Sequence, residues 1–301
     1  MLLKFAYLED SDKKKRLDIF LTEVSGFSRS KILKHIKEGK VQLNTKIVTK
    51  PAEVLKIGDE ILITPVEEAI ETLKIQEKKL DIIYEDDYLL AINKGPNVVV
   101  HPGAGNKENT LVNYVFGYLK KKPYLIHRLD KDTSGVILLA KDEDTHHKMQ
   151  ALWQRRDVTK TYETLVKGIL DVKKGIIDSP IIRDKINRQK MKISAMDNAR
   201  NAITHFKCIT AFHKYTFLEV EILTGRTHQI RVHLSAINHP VIGDATYGDK
   251  SINEFFQTNY GLYRQFLHAK TLKFIHPILD KEIYLKSPLP KDLSDILSKL
   301  S

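Results

Sequence analysis

The spacing of apolar residues near the amino terminus predicts a small domain of two helices and two strands. A first helix is predicted by apolar residues at the i, i+3, i+4 and i+7 positions of one face, namely Leu17, Phe20, Leu21 and Val24. A second helix, which ends at Gly39, has an inner face formed by Ile32, Leu33 and Ile36. Two strand-like runs follow, Val41–Leu43 and Ile61–Ile63. These elements predict two helices packed on a hairpin within residues 1–66.

The remainder of the chain has the pattern of short strands joined by turns. Residues 67–79 are polar and charged and are predicted to form a linker. Farther along, a hairpin-like unit is predicted, with a strand over Leu125–Leu129, a turn at Asp130–Gly135 and a strand over Val136–Ala140. Its continuously apolar runs, Leu125-Ile126 and Val136–Leu139, are typical of strands buried on both faces. Strands connected mainly by turns predict an α+β fold over residues 80–301, with a mixed, largely antiparallel central sheet flanked by helices and loops.

Positive charge is concentrated in the amino-terminal segment. The 301 residues carry a net charge of +11. Residues 13–50 hold eleven Lys and Arg against three acids, a net +8, so only +3 remains for the other 263 residues. Clustered cations favour a module that binds the phosphates of nucleic acid, although a solvated lysine-rich surface would have the same composition. The cations predicted on the outer side of the second helix are Arg29, Lys31, Lys34 and Lys37.

Several functional classes lack their signatures in this sequence. The single cysteine, Cys208, excludes an internal disulfide and a cysteine-based zinc site. Neither a P-loop, nor H-E-x-x-H, nor G-x-S-x-G occurs. No apolar run approaches the ~18–20 residues of a membrane span. Acidic residues interrupt the first segment of the chain, so it lacks the apolar region of a signal peptide. We therefore expect a cytoplasmic globular protein without a metal ion and without membrane contact.

Asp130 is the residue best placed for chemistry. Arg128 and Asp130 are two positions apart at the end of a predicted strand, so their side chains project from the same face. The apolar runs on both sides place Asp130 at the rim of a hydrophobic core, where a carboxylate is either paired with a cation or protonated and reactive. The turn formers that follow, Asp132 to Gly135, fit a purely structural turn as well.

Five motifs follow one another between residues 80 and 288. They are H-R-L-D-x-x-T-S-G-V-x-x-x-A-K from His127, K-x-Y-x-x-L-V-x-G from Lys160, L-T-G-R-T-H-Q-I-R-V-H-L from Leu223, H-P-V-I-G-D-x-x-Y-G from His239 and L-H-A-K-x-L-x-F-x-H-P from Leu267. In residues and order they resemble the pseudouridine synthases of the RluA family. Two departures from the family pattern are Lys94-Gly95-Pro96-Asn97 in place of K-P-x-G, and Asn238 where a glycine commonly precedes His-Pro.

The basic amino-terminal segment has its own resemblance. R-L-D-x-x-L from Arg16 precedes S-R-S-x-x-x-x-x-I-x-x-G-x-V-x-x-N, then K-P and G-D-x-I, ending near Ile63. This order is similar to the S4-type RNA-binding domain, a small α/β domain. The resemblance implies RNA binding, and its combination with the RluA-like part implies the branch that acts on large-subunit (23S) ribosomal RNA.

The two resemblances together imply an enzyme that isomerises uridine to pseudouridine in RNA. They assign Asp130 as nucleophile toward the ribose or the uracil, or as the group that promotes elimination to a glycal. Arg226 would compensate the charge of Asp130, and Arg128 would fill the gap left by the extracted base. Tyr162 would stack on the target uracil, and its hydroxyl is a candidate base toward the sugar. The reaction is redox-neutral, so we expect no cofactor.

The partner implied is RNA, and we expect the protein to be a monomer. Two alternatives remain open at this point. One is the same chemistry on transfer RNA, and the other is a non-catalytic S4-type RNA-binding or ribosome assembly factor.

Overall fold

The structure, a computed structural model, describes residues 3–8, 15–27, 29–64, 74–103 and 105–300. The chain divides into two units, Met1–Thr72 and Leu73–Ser301. The predicted linker, 67–79, lies partly outside the described residues. Its described part belongs to the larger unit, where the side chain of Gln76 accepts the N–H of Asn109 at 2.7 Å and donates to Asn109 Oδ1 at 3.1 Å.

The smaller unit packs two helices, α1 (Leu17–Val24) and α2 (Arg29–Lys37), against a four-stranded antiparallel sheet. Its strands are β1 Leu3–Ala6, β2 Val41–Leu43, β3 Lys46–Ile47 and β4 Glu60–Ile63, in the order β1-β4-β2-β3. The two predicted helices and both predicted strands are confirmed. Val24 is 42% exposed, contrary to its predicted inward position, because it is the last residue of α1.

The larger unit is built on a mixed ten-stranded sheet. The strands of this unit are β5 Ile82–Glu85, β6 Leu89–Lys94, β7 Tyr124–Leu125, β8 Ser134–Ala140, β9 Thr159–Lys167, β10 Lys174–Asp178, β11 Ile181–Arg183, β12 Met191–Ile193, β13 Ile203–Ala211, β14 Tyr215–Ile222, β15 Leu267–Ile275 and β16 Glu282–Lys286. The sheet order is β10-β13-β14-β9-β15-β8-β6-β5, with β16 beside β15 and β7 beside β8, while β11 and β12 pair separately. Only β15 and β8 run parallel among the described strand pairs, so the predicted mixed, largely antiparallel sheet is confirmed.

Helices cover both faces of this sheet. They are α3 Leu111–Leu119, α4 Glu143–Arg155, α5 Gln229–Ala236, α6 Lys250–Tyr260 and α7 Lys291–Leu300. Alternate residues of β8 enter two cores: Ile137 packs with residues of α3 and α5, and Leu138 packs with residues of α4. All seven residues of β8 are buried, as predicted for its apolar run. Within the described ranges, every helix is too short or too polar to cross a bilayer.

The loop between β7 and β8 carries Asp130 and differs from its predicted form. The expected strand over Leu125–Leu129 stops at Leu125, and residues 126–133 leave the sheet. The chain re-enters the sheet at Ser134, and the next residue, Gly135, has a φ of +118°, which favours glycine. A Cβ at Gly135 would lie 2.1 Å from the carbonyl oxygen of Ala269, so this close approach of β8 to β15 also requires glycine. The sheet thereby fixes one end of the loop.

Candidate active site

The three residues predicted to be catalytic line one cavity in the larger unit, with a volume of about 890 Å³. Asp130 comes from the loop between β7 and β8, Tyr162 from β9, and Arg226 from the loop after β14. Arg128 also lines this cavity and is exposed, whereas Asp130 is half-buried. Sequence positions almost 100 residues apart are thus brought to one site, as the resemblance implied.

The cation that pairs with Asp130 is Arg231, so the predicted pairing with Arg226 is wrong. Arg231 Nη1 donates to Asp130 Oδ2 at 2.8 Å. The guanidinium of Arg226 instead donates through Nε to the carbonyl oxygen of Asn201, at 3.0 Å. The reason is that Arg226 lies in the loop before α5, whereas Arg231 lies within that helix and faces the core. Arg226 remains a residue of the cavity wall.

Arg231 is held in place by a second carboxylate, Asp244. Arg231 Nε and Nη2 donate to the two carboxylate oxygens of Asp244 at 2.7 and 2.8 Å, which makes a bidentate pair. The Asp244 side chain is fully buried, and it also accepts the N–H groups of Thr246 and Tyr247. Burial alone would raise the pKa of Asp244, but its bonds with Arg231 outweigh this and hold the pKa below the ordinary value. The guanidinium therefore bridges one buried carboxylate and one that faces the cavity.

The start of α5 is shaped by Gln229, which positions Arg231. The buried side chain of Gln229 accepts from the Thr224 hydroxyl at 2.8 Å and from the Arg226 N–H at 3.1 Å, and it donates to the Ile203 carbonyl at 2.9 Å. His228, just before the helix, has a φ of +57°. Its Nδ1 accepts from the hydroxyl of Tyr247 or donates to it at 2.9 Å, and its Nε2 lies 4.0 Å from Asp130 Oδ1.

Two buried cations hold the backbone on the other side of Asp130. Lys94 Nζ, on β6, donates to the carbonyl of Lys131 at 2.9 Å, and Arg264 Nη1 donates to the carbonyl of Asp132 at 3.2 Å. Burial lowers the pKa of Lys94 to about 7, although the negative charges of Asp132 and Asp130 act to raise it. These contacts explain why residues 126–133 form a fixed loop where the sequence predicted a strand end.

Tyr162 forms part of the cavity wall beside Asp130. It is 9% exposed and belongs to the core under the cleft. Burial, and next the charge of Asp130, raise the pKa of Tyr162. The hydroxyl is therefore protonated at neutral pH, which favours the stacking role over action as a base toward the sugar.

The four cations predicted on the outer side of the second helix all lie on α2 of the smaller unit. Lys34 and Lys37 are exposed to solvent. Arg29 donates to the buried carboxylate of Asp18 at 3.1 Å, and Lys31 Nζ lies 4.5 Å from the centre of the Phe27 ring. Arg29 thus also has a structural contact.

The functional residues that sequence reasoning missed are Arg231, Asp244 and Lys94. Arg231 stands in the same motif as Arg226. The helical spacing of Ile230, Leu234 and Ile237 predicts a helix over Gln229–Ile237, and Arg231 is at i, i+3 from Leu234, on its apolar face. That position was a detectable signal for a buried, paired cation. The contact of Lys94 with Lys131 joins residues 37 apart and left no local signal.

Comparisons with known proteins match both units of the chain to known families. The family model described as RNA pseudouridylate synthase matches residues 88–236, and the S4 domain model matches residues 15–61. The ribosomal large subunit pseudouridine synthase D of Vibrio cholerae is 36% identical, over 96% of this chain and 92% of that protein. The uncharacterized RNA pseudouridine synthase YlyB of Bacillus subtilis is 35% identical, over 97% and 96% of the two chains.

A solved structure shows the same fold. The human RNA pseudouridylate synthase domain containing 4 superposes with a TM-score of 0.59 at 29% identity, covering 73% of this chain and 92% of that one. The S4 match confirms the resemblance assigned to the amino-terminal segment.

Replacing Asp244 tests whether Arg231 depends on it. Asp244→Asn leaves a buried guanidinium with one carboxylate fewer, so we expect a loss of about 3–5 kcal/mol in the free energy of unfolding at pH 7. Because the folded-state pKa of Asp244 is lowered, its contribution is complete above the ordinary aspartate pKa of about 3.9 and is lost as pH falls through the lower folded value. The measurement is urea unfolding followed by the fluorescence of Trp153, the one tryptophan of the chain.

The matched control for this variant is Asp249→Asn. Asp249 is a partly exposed helix cap that bonds Lys167 at 2.7 Å, so its loss should cost about 1 kcal/mol or less. Equal losses in the two variants, or a loss at Asp244 that persists unchanged at pH 2, would contradict the buried bridge.

Proposed function

Since the chain belongs to the RNA pseudouridylate synthase family, we propose that it isomerises specific uridines to pseudouridine in large-subunit ribosomal RNA. The observation that carries this proposal is the half-buried carboxylate of Asp130, bonded to Arg231 and open to a cavity. An S4 domain precedes the catalytic unit, and the relative in Vibrio cholerae is named for the large ribosomal subunit. We infer that the protein works where ribosomal RNA is made, in the cytoplasm.

The reaction rearranges one base without adding atoms. The bond between uracil N1 and ribose C1′ breaks, the base turns over, and C5 bonds to C1′. A proton leaves C5 and one is gained at N1, so the composition and oxidation state are unchanged. The steps need a group that captures or stabilises the separated pieces and a cavity that retains the free base.

Asp130 is proposed to be that group. Its Oδ2 is bonded to Arg231, and its side chain lines the cavity. The carboxylate is thus oriented before the RNA arrives, which lowers the entropy that must be lost on the way to the transition state. Attack on the ribose, attack on the uracil and elimination to a glycal all use a carboxylate in this position.

Tyr162 is proposed to stack on the extracted uracil. Its ring belongs to the cavity wall, and base–aromatic stacking is worth about 1–3 kcal/mol. This offsets the few kcal/mol that base extraction costs. Arg128, exposed at the cavity, is proposed to fill the gap that the extracted base leaves in the RNA. Arg226, on the cavity wall, is proposed to bind the RNA there.

The charges around the cavity favour a polyanionic substrate. The cationic residues that line it are Arg128, Lys131, Arg156, Lys160, Arg226 and Arg231, whereas Asp130 is the acid among the described lining residues. On the smaller unit, Lys34 and Lys37 are exposed and are proposed to add phosphate contacts. We propose the unit Met1–Thr72 as the RNA-binding domain of a monomeric enzyme that needs no cofactor.

The Asp130→Asn chain tests the catalytic assignment. The amide keeps the size of the side chain but removes the nucleophilic charge, so pseudouridine formation on a large-subunit ribosomal RNA transcript should be abolished. RNA affinity should stay within a few-fold, because Asp130 repels rather than binds phosphate. Carbodiimide mapping measures the product and filter binding measures the affinity. The control is Asp144→Asn, an exposed aspartate on α4. Unchanged product from Asp130→Asn would refute the assignment.

Deleting residues 1–72 tests the substrate class. The cut follows the unit boundary and keeps Lys74, whose carbonyl accepts from Asn113 of α3 at 3.0 Å. We expect a strong loss of product on ribosomal RNA, because the S4 phosphate contacts are gone. The full chain should show little product on a transfer RNA transcript. Efficient, deletion-insensitive product on transfer RNA would favour that alternative substrate, and RNA binding without product on either would favour a non-catalytic assembly factor.

A further inference from the structure

The cavity that contains Asp130 and Tyr162 is also lined by residues to which the proposed reaction assigns no individual role. They are His127, Trp153, Arg156 and Lys160. His127 and Trp153 stack with ring centres 5.2 Å apart and planes 21° apart.

Lys160 is the central residue of this group. It is 6% exposed, and its Nζ lies 5.8 Å from the centre of the Trp153 ring. Within the described residues it has neither a hydrogen bond nor an ion pair. Among the described residues, the buried side-chain atoms without a hydrogen-bond partner are Asp132 Oδ1 and His276 Nε2, so the unpaired Lys160 Nζ keeps solvent access from the cavity and can bond an anionic ligand. Since Lys160 and Tyr162 are two positions apart on β9, their side chains share a face, about 6.6 Å apart along the strand.

His127 offers a second donor at the same place. Its Nε2 accepts the N–H of Leu138 at 3.0 Å. Burial, and next the charge of Lys160, lower the pKa of His127 to about 3, so the ring is neutral. A neutral imidazole that accepts at Nε2 carries its proton at Nδ1. That N–H has no acceptor within the described residues, and His127 lines the cavity.

We propose that Lys160 and His127 bind the phosphodiester adjacent to the extracted uridine, as a phosphate subsite beside the reacting centre. The inference rests on the function proposed above. A nucleotide held by Tyr162 in an RNA strand has a phosphate on each side of its ribose. The cavity presents one ammonium from β9, two positions from Tyr162, and one neutral N–H donor from the loop between β7 and β8. The ring of Trp153 forms one wall of this subsite, with its centre 5.8 Å from Lys160 Nζ.

The protonation of Lys160 supports this subsite. Burial lowers the pKa of Lys160 to about 8; the charge of Glu221 on β14 opposes this shift, and that of Arg156, which follows α4, adds to it. His127, the other titratable group on this side, stays neutral. A phosphate stabilises the ammonium, so RNA affinity should fall as pH rises from 7 to 9.

Lys160→Met tests the subsite by binding. The variant is made in the full-length Asp130→Asn chain, so that affinity for the large-subunit ribosomal RNA transcript is measured without turnover. We expect about tenfold weaker binding, and a salt slope that is smaller by about 0.7 for one lost contact with a single strand. The matched control is Lys167→Met on the same strand, whose ammonium already bonds Asp249 at 2.7 Å; its slope should not change.

A second comparison uses pH. Lys160→Arg keeps its charge at every pH tested, so its affinity should be flat where that of the Lys160 parent falls. Both proteins are measured with the same RNA, so any effect of uridine titration on the affinity is common to the two and cancels in the comparison. A thermal melt within a few degrees of the parent shows that the variants are folded.

The outcomes separate the subsite from the proposed function. Unchanged affinity and salt slope in Lys160→Met, with pseudouridine formed by the wild-type chain, would overturn the subsite alone. Absence of product from the wild-type chain would overturn the proposed function, while a reduced slope in Lys160→Met would still establish the anion contact. An equal loss of slope in Lys167→Met would also overturn the subsite, because it would reflect general charge only.

Discussion

The site depends on one guanidinium that binds two carboxylates. Arg231 bonds Asp130 at the cavity and Asp244 in the interior. Removing a single charge from water costs several kcal/mol, and a pair recovers this only with good geometry and further hydrogen bonds. Asp244 meets that condition through its bidentate contact and two backbone N–H groups. The result is a carboxylate that stays oriented at the edge of an apolar core.

The fold supplies the rest of this arrangement from distant parts of the chain. Gly135 lets β8 approach β15 closely, which fixes one end of the loop that carries Asp130. Lys94 and Arg264 bind the carbonyls of the two residues that follow Asp130. The loop is thus held by backbone contacts on one side and by an ion pair on the other, so little reorganisation is needed when RNA binds.

The periodicity of apolar residues was sufficient to predict helices and strands, but it was insufficient to predict which arginine pairs with Asp130. The apolar runs of β8 and the helix face of Leu17 and Leu21 were predictable because burial demands one-sided or two-sided apolar patterns. Asp130 and Tyr162 followed from a resemblance in local sequence. The partner of Asp130 did not, because one motif offers both Arg226 and Arg231, and only the orientation of α5 decides which of them reaches the Asp130 carboxylate. The loop of 126–133 was likewise set by tertiary contacts, which no local pattern encodes.

Replacing each of the two arginines distinguishes most directly between the observed pairing of Asp130 with Arg231 and the pairing with Arg226 that the sequence predicted. Lysine keeps the charge but cannot bind two carboxylates as a planar fork. We predict that kcat for pseudouridine formation on the large-subunit ribosomal RNA transcript falls about 100-fold in Arg231→Lys, as expected for a misplaced catalytic group, and is nearly unchanged in Arg226→Lys. A large fall in Arg226→Lys with a normal kcat in Arg231→Lys would contradict the account.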